Sequence, residues 1–474
     1  MAAVSQSFRE KLHRFVHHQS PARVLVIGFA SLIFIGTLLL LSPAAVRGSV
    51  PTLDFMQALF TATSAVCVTG LSVFDPGSTL SLYGQTVLIC LIQIGGLGFM
   101  TLTAFFLTSA KRSMSLEGEV LLRESLSETG LHGLTRLAVR IVGVTVFFEA
   151  IGALLCMFVF IPQHGIFRGV FLAVFHAVSS FCNAGFDVLG RGDNLVPYVS
   201  EPLINVVTMV LIVMGGLGFF VILECWDKGR ARLMKWLQPK KHREWIAPLS
   251  LQSRLVLTLT AVLITAGFLI YLAAEGTNPL TLGAPDDTWQ KKILGSLFQS
   301  ITTRTAGFMT FPQGDMRSVS KIATVMLMFV GACPAGTAGG VKTTTAAIVF
   351  MYVRSVLKGQ RDVNIWHHRV HPHLIARAVA TFVICFFAIV MVAAAISVLQ
   401  PELALPDIIF ETSSAFGTAG LSTGITASLS VPSQLLIIVT MLGGRVGFFT
   451  LTVALAAGGP VPHVRYPYGR LTIG

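Results

Sequence analysis

Apolar runs of membrane-crossing length begin near Val24, Tyr83, Ile141, Leu203, Leu255, Ile322, Ala378 and Gln434. They dominate what the chain can become. Lipid offers no hydrogen-bond partners, so a segment spanning it must satisfy its own backbone as a helix or a closed barrel. About 20 apolar residues suffice for a helix to cross. Only 12% of the 474 residues are charged, against about a quarter in a soluble chain. The sequence therefore predicts an all-α polytopic membrane protein with eight spanning helices. The first 23 residues are polar and basic for too long to be a cleavable signal peptide. Seven cysteines, at 67, 90, 156, 182, 225, 333 and 385, fall in or beside apolar segments without paired spacing. They read as small buried hydrophobes and not as a disulfide framework.

The formal net charge is +12, and its distribution matters more than its size. Of the 34 Lys and Arg, 24 lie in the N-terminal stretch to Arg23, the segments 111–140, 228–254 and 354–377, and the tail beyond 460. Seven lie in the alternate loops. The positive-inside rule then places both termini in the cytoplasm. A basic inner face accounts for the charge without any nucleic acid.

Four shorter, less apolar stretches separate the spans in pairs: FTATSAVCVTGLSV (60–73), FHAVSSFCNAGFDV (175–188), LFQSITTRTAGFMT (297–310) and FETSSAFGTAGLST (410–423). They align without gaps on Gly70, Gly185, Gly307 and Gly420, spaced 115, 122 and 113 residues apart. A second motif follows each: IGGLGFM (94–100), MGGLGFF (214–220), AGGVKTT (338–344) and LGGRVGFF (442–449). The unit is span, re-entrant stretch, span, repeated four times. The expected bounds are 24–110, 137–227, 251–355 and 376–458, flanked by cytoplasmic ends 1–23 and 459–474.

Non-helical backbone at membrane depth is tolerated only where it is buried in protein or lines an aqueous cavity. Four re-entrant loops about a pseudo-fourfold axis bring four backbones to one point. A glycine in each opens dihedrals closed to other residues, and rings of carbonyls replace the hydration shell of a monovalent cation. The expected ion-binding filter comprises Val68, Thr69, Gly70, Asn183, Ala184, Gly185, Thr305, Ala306, Gly307, Thr418, Ala419 and Gly420. For the Gly-Gly pairs of the second motifs, close helix packing is an equally good reading.

VTGL (68–71), NAGF (183–186), TRTAGF (303–308) and GTAGL (417–421), with the four second motifs, resemble the Trk/Ktr/HKT superfamily of potassium transporters. The resemblance covers the chain from about Val24 to Ala457, and the nearest branch looks like the KtrB membrane subunits of bacterial Ktr potassium uptake. It implies four membrane–pore–membrane units, potassium in the filter and residence in the bacterial inner membrane. It also implies a homodimer docked on a cytoplasmic ring of KtrA-like nucleotide-binding subunits. On that reading nucleotide binds the partner, this chain holds none, and no metal beyond potassium is expected. Gly70 favours potassium, since plant sodium transporters of the superfamily often carry serine there. A sodium-permeable relative of the same fold and a Trk-type subunit are the alternatives.

GTAGGVKT (336–343) approaches the phosphate-loop pattern G-x-x-x-x-G-K-[ST] but has Val341 for the second glycine, and it follows an apolar span where a strand is required. Pro334 and four glycines within 331–340 instead predict a broken helix, since each glycine costs about 1 kcal/mol and proline about 3. The resemblance assigns this intramembrane loop, 331–345, as a gate. The gate candidates are Gly331, Ala332, Pro334, Gly336, Thr337, Gly339, Gly340, Lys342 and Arg445. Arg445 lies mid-span, where a charge costs about 2.5–3.5 kcal/mol and tends to face a cavity; a structural ion pair is the competing reading. Arg304 is expected to point away from the ion toward an acid such as Glu411 or Asp187. Lys342 is left between the inner surface and an acid.

Glu149 is an intramembrane acid and a functional candidate. HHRVHPH (367–373) suits a basic partner-facing loop better than a metal site. The segment 228–254, with Trp236 and Trp245, fits an interfacial helix or a docking surface. No arrangement of nucleophile and base suggests an enzyme.

Overall fold

A computed structural model describes residues 21–48, 52–98, 101, 134–190, 192–237, 247–285, 287–448 and 451–452. The basic N-terminal stretch to residue 20, the loop 102–133, Trp245 and the tail from 453 lie outside them. The helices, in order, are α1 (Pro21–Leu40), α2 (Phe55–Val66), α3 (Leu82–Leu97), α4 (Leu134–His164), α5 (Ile166–Cys182), α6 (Pro202–Gly216) and α7 (Phe219–Leu237). Then come α8 (Leu251–Glu275), α9 (Trp289–Thr302), α10 (Ser318–Phe329), α11 (Thr343–Leu357), α12 (Pro372–Leu399), α13 (Leu405–Gly417) and α14 (Val431–Val446). A hairpin of β1 (Asn364–Ile365) and β2 (His368–Arg369) precedes α12.

Among the described residues four helices, α1, α4, α8 and α12, are each long and apolar enough to cross a membrane. They carry large apolar side chains outward, such as Phe34, Phe158, Leu269 and Met391, a surface that only lipid or another protein covers well. Each is followed by a short helix whose C-terminal part is buried: α2, α5, α9 and α13. Their starts are fixed locally. Asp54 and Gln57 form a capping box at α2, and Thr288 accepts from Lys291 N at 3.3 Å at α9.

The third helix of each unit departs from the expectation of eight continuous spans. α3, α6 and α14 stop after 16, 15 and 16 residues, within apolar sequence that continues. Each ends at the last glycine of its motif, Gly98, Gly218 or Gly447, with φ of 77°, 87° and 96°. Beyond Gly218 the chain turns by 104° into α7. In the third unit the same helix is split into α10 and α11 by residues 330–342.

The units close into a ring in chain order. α3 packs on α5, α6 on α9, α10 on α13, and α14 returns to α2. Three Gly-Gly pairs let a third helix approach the buried helix of its own unit. An added Cβ on Gly95, Gly215 or Gly444 would strike the Val66, Phe181 or Phe416 carbonyl at the end of its own unit's buried helix. At these three positions the pairs serve packing.

Candidate functional site

Each buried helix ends in the same backbone pattern. Val68, Asn183, Thr305 and Thr418 take left-handed φ values of 56°, 60°, 69° and 50°, and two residues on Gly70, Gly185, Gly307 and Gly420 have φ of 95°, 67°, 81° and 77°. A left-handed non-glycine residue costs about 1–2 kcal/mol, and four at one register position are strain that the surroundings must hold. Part of the holding is visible. The middle residues donate back to their helices, Thr69 N to Ser64 O at 2.7 Å, Ala184 N to Ser179 O at 2.7 Å, Ala306 N to Thr302 O at 2.9 Å and Ala419 N to Ser414 O at 2.8 Å. Hydroxyls brace the exits: Ser64 Oγ accepts from Gly70 N at 3.0 Å, and Ser179 and Thr302 donate to the Phe186 and Phe308 carbonyls at 2.7 and 2.6 Å.

The four loops meet. A Cβ on Gly185 would lie 2.7 Å from Ala306 O, and one on Gly307 2.7 Å from Ala419 O. On Gly70 and Gly420 it would be closer still to Ala184 O and Thr69 O. Each glycine thus abuts the next unit's middle carbonyl, and the fourth abuts the first. All twelve expected filter residues lie in this ring.

Beyond the glycines opens a vestibule of about 350 Å³ lined by the four of them together with Asp75, Asp187 and Asn194. Asn194 Nδ2 donates to Gly185 O at 3.3 Å. Burial, together with the Asp75 and Asp193 charges, pushes the Asp187 carboxyl up to about 6 despite a bond from Leu189 N.

On the opposite side lies the break in the third unit. Its mouth is pinched by a bridge between Val330 and Val341 and by Thr343 N donating to Ala332 O at 3.2 Å. Close approach of Gly331 to the Gly339 carbonyl and Gly340 leaves no space for side chains there. The loop is bonded into its surroundings. Cys333 N and Thr337 N donate to Gly216 O and Gly215 O at 3.1 and 3.2 Å, and Phe219 N donates to Ala335 O at 3.0 Å. Pro334 and Gly336 lie against Gly218 and Gly215. Thr337 Oγ1 donates to Phe181 O at 3.2 Å, Gly339 N to Thr418 Oγ1 at 3.0 Å, and Gly340 N to Gly444 O at 3.3 Å. The loop therefore touches the buried-helix end of the second unit and the filter stretch of the fourth.

Three cationic side chains hold it. Arg445 donates to the carbonyls of Thr337 and Gly95, and to that of Gly96 at 3.1 Å. Its partners are all backbone carbonyls, so the ion-pair reading gives way to a bridge between the loop and α3. Lys342 Nζ donates to Ala338 O at 2.8 Å. Arg304 Nη2 reaches Cys333 Sγ at 3.9 Å, which corrects the expectation of a carboxylate partner. Glu411 is instead bonded by Thr426, and Asp187 accepts from Leu189 N at 3.0 Å. Both acids are engaged near their own loops.

Cys333, the hydroxyl of Thr418 and the Gly95 and Gly96 carbonyls were not legible as part of this site. Their signal is a short side chain or a backbone atom, which only the fold brings near. Glu149 accepts from Gln93 Nε2 at 3.1 Å and sits 3.8 Å from Cys182 Sγ, just before Asn183. In the 367–373 segment, Trp366 and His367 with φ of 43° and 68° make the hairpin turn, and His371 caps α12. Among the described residues no group of three or more His, Cys, Asp or Glu is arranged to hold a metal.

The profile of the family described as TrkH, cation transport protein, matches residues 3–462. The chain is 35% identical to the Ktr system potassium uptake protein B of Bacillus subtilis, covering 98% of this chain and 99% of that one. It is also 35% identical to the potassium/sodium uptake protein NtpJ of Enterococcus hirae, over 95% and 96% of the two chains. The crystal structure of the potassium transporter TrkH from Vibrio parahaemolyticus superposes with a TM-score of 0.71 at 16% identity, covering 93% of this chain and 86% of that one. That structural likeness concerns the fold alone. With its apolar helices and transporter relatives, the chain is a multi-pass membrane transporter and not an enzyme, and it belongs to the TrkH cation transport protein family.

Proposed function

We propose that this chain is the membrane subunit of a Ktr-type potassium uptake system in a bacterial inner membrane, with both termini cytoplasmic. The observation that carries this reading is the ring of four left-handed turns, each glycine abutting the next unit's carbonyl. A monovalent cation loses most of its water on entering such a ring, and carbonyl dipoles stand in for it. The negative C-terminal ends of α2, α5, α9 and α13 add a modest favourable field.

The loop 331–345 is the gate in this reading. It lies between the filter and the helix ends of the second and fourth units, and Arg445 holds it by the Thr337 carbonyl. A fixed positive charge beneath the filter opposes a cation in low dielectric far more than in water. Opening draws the loop aside and breaks its bonds to Phe181, Thr418 and Gly444. A homodimer on a cytoplasmic ring of KtrA-like nucleotide-binding subunits would supply the control, with nucleotide on the partner. The relatives named for Ktr potassium uptake support that assignment.

Sodium permeability is the second reading, favoured by the equal identity to a protein named for potassium and sodium uptake. Rubidium uptake into liposomes containing the purified chain, with sodium as competitor, separates the two. Uptake indifferent to excess sodium supports the potassium pathway. Equal use of sodium moves the assignment to the second reading. No uptake, with or without a regulatory ring added, overturns both.

A further inference from the structure

The residue just before each filter stretch is Cys67, Cys182, Arg304 or Gly417. Only the third is charged, and among the described residues the third unit's last helix is the one divided by a loop as long as 330–342. Arg304 is 7% exposed. Its Nε has no partner, and its guanidinium meets Cys333 Sγ at 3.9 Å with no carboxylate in reach. That sulfur is a junction. Thr343 Oγ1 donates to it at 3.3 Å from the start of α11, Thr260 Oγ1 of α8 lies 3.8 Å away, and Cys333 N is fixed to Gly216 O of α6 at 3.1 Å. Cys333 is thus anchored on three helices, and the segment 336–340 beyond it is bonded separately to Gly215, Phe181, Thr418, Gly444 and the Arg445 guanidinium.

A buried guanidinium with one weak hydrogen-bond partner is sensitive to losing it, because the donor is then left unsatisfied away from water. Arg304 is bonded covalently to Thr305, whose left-handed backbone needs holding. We propose that Arg304 is a positioning residue for selectivity. Through Cys333, the stationary root of the loop, it braces the third filter stretch so that Thr305–Gly307 keeps its geometry while the loop's tip moves. The proposal rests on the filter and gate reading above.

A double-mutant cycle on the potassium-to-sodium uptake ratio tests it, since that ratio does not depend on how much protein folds. Cys333→Ala and Arg304→Gln are each expected to lower the ratio about fivefold, the effect of one lost hydrogen bond, and the double variant no further. Additive losses, or an unchanged ratio in either single variant, overturn the brace. Deleting 336–340 is the companion measurement, expected to raise resting uptake with the ratio retained. A deletion that leaves uptake unchanged defeats the gate reading while the cycle still reports on the brace. A deletion that lowers the ratio as far as Cys333→Ala does would place the brace in the loop tip and overturn the role of Cys333. A wild-type chain with no preference for potassium overturns the filter reading and the proposal together.

Discussion

The four buried helices and the four third helices obey different rules. At the ring of glycines, three different triplets, Val-Thr-Gly, Asn-Ala-Gly and Thr-Ala-Gly, the last occurring twice, share one pattern of positive φ. At the second motifs the likeness fails: three third helices run unbroken to a glycine stop, and the other opens into a loop. A spherical ion has no preferred side, so every unit must offer it the same oxygen geometry. Obstruction needs only one arm. On the proposed reading, symmetry is kept where coordination requires it and given up where a single moving part suffices.

Substitutions that attack each half of this contrast should differ in sign. The largest effect is expected at the filter. Gly307→Ala meets both a left-handed backbone and Ala419 O, together about 2–5 kcal/mol, so rubidium uptake into liposomes should fall at least about 30-fold. Uptake within a few-fold of wild type would mean that the ring does not carry ions. Removing 336–340 should act oppositely. It strips the loop of its bonds to Gly215, Thr418 and Gly444, each worth about 1 kcal/mol, and resting uptake should rise roughly tenfold or more.

Arg445→Gln tests whether the one arm is held by charge. A shorter neutral amide cannot bridge both Thr337 and Gly96, so resting uptake should rise about fivefold, less than in the deletion. A smaller rise than that in Lys342→Gln would shift the latch to the other cation.

The smallest effect concerns the vestibule, where the four units already diverge. Two residues beyond the filter glycines stand Ser72, Asp187, Met309 and Ser422. Asp187 is charged above about 6 and neutral below it. Acidifying the outside through that point removes a negative charge from the vestibule, and uptake should fall by about twofold, as screening by salt limits the effect. Asp187→Asn should flatten this pH dependence; a profile identical to wild type would assign it elsewhere.

Much of this was legible in residue types. Gly70, Gly185, Gly307 and Gly420 announce themselves by spacing, and Pro334 among glycines announces the break. Val68, Thr305 and Thr418 gave no sign of their left-handed backbones, because nothing in a β-branched side chain predicts a conformation that tertiary contacts impose, whereas Asn183 is a residue type that tolerates it. The helix stops at Gly98, Gly218 and Gly447 were hidden by apolar sequence that continues past them, and hydropathy reads polarity, not dihedrals. Arg304 was assigned a carboxylate because charge normally seeks charge; the fold gave it a sulfur instead. Arg445 stood out as costly, but its carbonyl partners on α3 lie 349 and 350 residues away.

That distance also bears on how the protein is made. The ring closes only when Gly420 meets Thr69 and α14 packs on α2, so the first pore loop emerges long before its last neighbour exists. During synthesis the early units must wait in the bilayer with polar backbone incompletely covered. Contacts of such separation are slow to form, and on the proposed reading the pathway for ions is complete only when the final helix arrives.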